Sequence, residues 1–94
     1  MECLFKRQET IANTAIQMEF EVLGIEYLVK NFTDGDVYIA FGKETNKKNC
    51  LLIPAECSQI VTVCKNDFAS GNKTITIIPE STSEKGVEVQ CLRW

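Results

Sequence analysis

The residue types able to do chemistry in this chain are unevenly supplied: there are five cysteines and no histidine. Without imidazole, the commonest general base is missing and Ser-His or Cys-His activation of a nucleophile has no basis. Cys3, Cys50, Cys57, Cys64 and Cys91 contain no C-x-x-C pair, the spacing that small zinc sites normally use. Cys50, Cys57 and Cys64 recur every seven residues, which in a strand places neighbours on opposite faces. They therefore read as small reduced hydrophobes in a β core or at its rim. Asp34 and Asp36 flank Gly35, but a lone Asp-Gly-Asp lacks the further carboxylates of a calcium loop, and turn chemistry explains both. Gly35 and Gly42 build no phosphate-cradling loop. Lys43, Lys47 and Lys48, with Glu44 among them, read as a solvated loop. Asn31-Phe32-Thr33 and Asn72-Lys73-Thr74 match the N-glycosylation pattern, which has meaning only on a secretory route. No catalytic, cofactor-binding or metal-binding residue is expected, and the chain reads as non-enzymatic.

The totals narrow the partners. A hydrophobic share of 45% and a charged share of 24% belong to a folded domain rather than a disordered segment. A net charge of -3 lacks the basic excess that phosphate neutralisation needs, so neither nucleic acid nor an anionic membrane is an expected partner. No apolar run approaches the ~20 residues that span a bilayer. The opening residues, MECLFKRQET, have no apolar h-region, so cytoplasmic synthesis and folding are expected.

Any site must be positioned by strands. Two β-branched and aromatic runs in residues 27–42 flank Thr33-Asp34-Gly35-Asp36. Asp-Gly between such runs predicts a two-residue hairpin turn, because Asp tolerates positive φ and Gly adopts it without steric cost. Ile16, Met18, Phe20 and Val22 alternate with Gln17, Glu19 and Glu21, which predicts a strand with one dry and one wet face. Gly24 marks a turn or bulge before a strand over 25–32. Further strands are expected at 50–53, ended by Pro54, at 58–64, at 74–78, ended by Pro79, and at 87–94. The polar stretches 42–49, 65–72 and 80–86 are expected loops. Residues 1–14 are expected to be an N-terminal arm or a short first strand, and 15–94 a single β-domain. About seven short strands with a central Asp34-Gly35 hairpin predict an all-β fold, a small antiparallel sandwich or barrel of jelly-roll or immunoglobulin-like kind.

Apolar side chains without an obvious core position are candidate partner contacts: Leu4, Phe5, Ile11, Phe68 and Trp94. Phe68 reads first as an anchor for its loop. Tyr27, Tyr38, Phe68 and Trp94 form the aromatic set that a carbohydrate-binding module would need.

Val29-Lys30-Asn31, Val37-Tyr38-Ile39-Ala40-Phe41-Gly42, Ile53-Pro54-Ala55 and Val87-Glu88-Val89 running out to Trp94 together resemble small all-β virion proteins of tailed bacteriophages. The likeness covers about residues 25–94, with the cysteines and Glu56 as departures. It implies a capsid decoration (cement) protein that binds the major capsid protein lattice in many copies and self-associates. A tail or head–tail joining protein, or a ligand-binding β-module, is the alternative. It implies no cofactor, and location in the virion after assembly in a bacterial cytoplasm.

Overall fold

Period-two alternation builds the strands as expected. In the computed structural model, which describes residues 4–42, 46–62 and 72–94, Ile16, Met18 and Phe20 are buried while Gln17, Glu19 and Glu21 face water. Among the described residues there are eight strands: β1 (Phe5–Thr10), β2 (Ile16–Gly24), β3 (Glu26–Asn31), β4 (Val37–Phe41), β5 (Leu51–Ile53), β6 (Ser58–Thr62), β7 (Asn72–Pro79) and β8 (Ser83–Arg93). The eighth is β1, whose charged sequence FKRQET carries no clean alternation; it docks antiparallel on β8. A 3-10 turn, Lys47–Asn49, precedes β5, with the Asn46 side chain accepting from the Lys48 amide.

The strands form two four-stranded antiparallel sheets, in the orders β1-β8-β3-β6 and β2-β7-β4-β5. Their inner faces close over one core. Tyr27, Val29, Val87, Val89 and Cys91 come from the first sheet. Ile16, Met18, Phe20, Val37, Ile39, Ile53, Ile75 and Ile77 come from the second. The fold is a small all-β sandwich. Tyr27 stands at its centre, wholly buried, with the Phe20 and Phe41 rings at centroid distances of 5.3 and 5.9 Å. Phe41 is half-buried and packs against the core from its edge.

The Asp34-Gly35 hairpin is not found. β3 belongs to the first sheet and β4 to the second, so residues 32–36 carry the chain across the sandwich instead of folding it back on itself. Gly35 does not have positive φ; among the described glycines only Gly42 (76°) and Gly86 (62°) do. The physical reason is a buried polar knot that holds this corner. The Asn31 Nδ2 donates to the carbonyls of Gly35, Ile53 and Pro54 at 2.9, 3.2 and 3.0 Å. Its Oδ1 accepts from the Thr33 amide and hydroxyl at 2.9 and 2.7 Å. The backbone adds Glu56 N–H to Thr33 O and Glu80 N–H to Asp36 O. Gly35 is needed for space, since a Cβ there would meet the Ser81 side chain at 2.9 Å. Asp34 turns outward and accepts from the Ser81 hydroxyl.

Gly86 has the stricter requirement. Expected at the end of a loop, it lies inside β8 opposite the register shift between Gln8 and Thr10, and a Cβ would stand 1.8 Å from the Gln8 carbonyl oxygen. Positive φ and backbone contact both demand glycine here.

Candidate docking face

Residues directly opposite one another in antiparallel strands point to the same side of the sheet. In the first sheet, Phe5 pairs with Gln90, Gln90 with Leu28, and Leu28 with Ile60. Their sequence neighbours Val29, Val89 and Cys91 fill the core, so this row of four lies on the outer face and crosses every strand of the sheet. Phe5 and Ile60 are 59% and 54% exposed. Leu92 adds a further exposed apolar side chain, and Phe5, Glu88, Gln90 and Leu92 line a shallow concavity of about 450 Å³.

Charged residues flank this row on both sides. On one side Arg7 lies opposite Glu88, and Glu88 opposite Lys30, whose ammonium is 3.8 Å from the Glu88 carboxylate. Gln90 donates to the same carboxylate at 2.8 Å. On the other side Glu26 lies opposite Arg93 where β8 bulges. The face is an apolar stripe between two rows of alternating charge.

The expected contact residues do not gather in one place. Leu4 is half-buried and packs against the core. Phe5 lies on the face just described. Ile11, 63% exposed, follows β1 at the opposite end of the sandwich. Trp94, 62% exposed, follows β8 near Phe5's end, where Arg93 O accepts from the Ile25 amide. Phe68 lies outside the described residues, as do Cys3, Cys64 and Lys43. Leu28 and Ile60 went unrecognised as surface residues, because both sit in strands apolar on each side. The signal that reveals them is strand pairing, which no local pattern encodes.

The aromatic set of a sugar site is not assembled either. Tyr27 is core, and burial first, then the neighbouring Cys91, pushes its phenol up to about 12. Burial likewise raises the Cys91 thiol. Tyr38 stands on the outer face of the second sheet. The Lys47 ammonium sits 4.9 Å from its ring centre, and its hydroxyl donates to Glu80 at 2.9 Å, which raises its pKa. Of the described cysteines, Cys57 is exposed, Cys50 is half-buried with its thiol donating to the Asn46 carbonyl, and Cys91 is buried. Asn31, first of a glycosylation triplet, is buried with its amide fully engaged, so the folded chain offers no acceptor there. Among the described residues no cluster of carboxylates and thiols suits a metal ion. No family model, curated protein or solved structure matches the chain.

Proposed function

We propose that this chain is a non-enzymatic structural protein of a phage virion, a capsid decoration protein that binds the major capsid protein lattice in many copies. The observation that carries the reading is the order of strand pairing. β1 pairs with β8, β2 with β7, β3 with β6 and β4 with β5, a nested set distributed over two four-stranded sheets. That is the order of a jelly roll, an architecture that recurs in viral capsid domains and in lectins. Two pieces of the phage-like pattern also meet in space, since the Asn31 amide binds the Ile53 and Pro54 carbonyls. A lectin-type role is less well supported, because Tyr27 is sealed in the core and Tyr38 lies beneath Lys47.

On a symmetric shell, weak contacts repeated across many neighbouring copies yield high occupancy. Exposed Ile11 and Trp94 would supply such contacts. The test is to mix purified protein with empty capsids of the phage that encodes it and to count copies per capsomer after sedimentation. Saturation at a fixed ratio is expected. Protein that leaves capsids bare but travels with tails points to a joining or tail protein. Protein that binds neither overturns the virion reading.

A further inference from the structure

The outer face of the first sheet has a pattern that is complementary to itself. Along β3 the outward residues run Glu26, Leu28, Lys30, negative then apolar then positive. Along β8, which runs the other way, Arg93 lies opposite Glu26, Gln90 opposite Leu28 and Glu88 opposite Lys30. Rotation by half a turn about the Phe5–Gln90–Leu28–Ile60 row therefore brings positive groups onto negative ones. A second copy placed face to face this way sets Lys30 over Glu26 and Arg93 over Glu88, twice each. Along the axis it stacks Phe5 on Phe5, Leu28 on Leu28 and Ile60 on Ile60, removing the exposed apolar stripe from water. At the margins Ser58 meets Thr62 and Arg7 faces no described residue, so among the described residues no like charges are directly opposed.

We propose that this face is the contact between two copies of the chain, related by a two-fold axis along the Phe5–Gln90–Leu28–Ile60 row. The occupant is argued from charge. A partner of uniform sign would meet a like charge within each flanking row, whereas a second copy sets opposite charges over one another in both. An isologous contact of this kind closes on itself and stops at a dimer.

The available area is small. Four strands about 4.8 Å apart, with rows spanning about five residues at ~3.4 Å, give a face of roughly 20 by 17 Å. Burying it on both copies removes on the order of 1,000 Å², the low end of specific interfaces. A contact this small is expected to be reversible, with dissociation in the micromolar range or weaker.

The experiment uses the full chain under reducing conditions, with sedimentation equilibrium as readout. Wild type is expected to pass from monomer to dimer over the micromolar range and above. Lys30→Glu opposes two carboxylates at positions 30 and 26, and Glu26→Lys opposes two ammonium groups; each is expected to weaken the dimer tenfold or more. An equimolar mixture of the two variants restores complementary pairs and is expected to re-form the dimer, as is the double substitution within one chain. Positions 26 and 30 lie on one strand, about 13 Å apart at ~3.4 Å per residue, so this rescue has no route within a single copy. A monomer throughout the micromolar range and above, a dimer indifferent to both substitutions, or a mixture that stays monomeric overturns the proposal. Each result is independent of whether the chain rides on a capsid.

Discussion

The outer faces of the two sheets are alike in construction and differ in solvent exposure along their central strands, where Leu28 and Gln90 of the first are half-buried. On the second sheet, Thr76 pairs with Ala40 and Ile78 with Tyr38, and all but Tyr38 are buried although they point away from the core. The Thr76 hydroxyl is satisfied there by the Gly42 carbonyl at 2.6 Å. On the first sheet the equivalent row, Phe5 to Ile60, is open at both ends. Scattered apolar residues are ordinary on a protein surface, but a row that crosses a whole sheet is a patch with a use. The difference teaches that apolar character alone does not decide burial; position across the sandwich does. One outer face contributes to holding the fold, and the other is free for association.

Substitutions can break or sharpen this contrast. Both faces rest on a common scaffold, and Gly86→Ala attacks that scaffold through the Gln8 carbonyl. A loss of more than about 4 kcal/mol is expected on urea unfolding, as for strained sites that cannot relax. A near-normal midpoint would mean that β1 does not lie against β8 as described. Next, Ile78→Ala on the buried outer face is expected to cost about 3 kcal/mol, as a core truncation does. A negligible loss would erase the difference between the faces.

Alkaline titration separates the two tyrosines. The phenol of Tyr27 is held near 12 in the folded chain against an ordinary value near 10. Its stabilising contribution is complete below pH 10 and is lost as the pH climbs through 12, an effect on the order of 2 kcal/mol. Absorbance at tyrosinate wavelengths should therefore show one phenol ionising together with unfolding. Glu80→Gln should lower the titration of Tyr38 and leave that late step in place. Two tyrosines ionising together near pH 10 would contradict the buried centre. The smallest effect is expected for Ile60→Ala on the open face, within about 0.5 kcal/mol in dilute solution. A loss as large as that of Ile78→Ala would show that this face, too, is covered.

The strand set was legible because alternation is a local signal. Ile16 to Phe20 and Val87 to Cys91 point inward as their period predicts. β1 left two readings open, arm or strand, since Lys6, Arg7, Gln8 and Glu9 give no dry face to count. The Asp34-Gly35 turn misled because the dipeptide favours a hairpin locally, whereas Asn31 commits the chain to cross between sheets. A trace of that commitment was present. Asn31 and Thr33 stand two residues apart, the spacing at which an Asn side chain caps its own backbone. The docking face was the least legible part. It exists only once Phe5, Gln90, Leu28 and Ile60, from four separate strands, lie side by side.

The nested pairing also governs when the molecule can come into being. Phe5 meets Gln90, and β3 reaches β1 only through β8. A chain emerging from the ribosome therefore holds β1 without a mate until β8 has been made. Of the pairs, only β4 with β5 joins consecutive strands, so this corner is the natural place for folding to nucleate, followed by slow closure over long loops. Until β8 arrives, the edge of β3 that it pairs with stays open, and the rate of synthesis between β3 and β8 sets how long that exposure lasts.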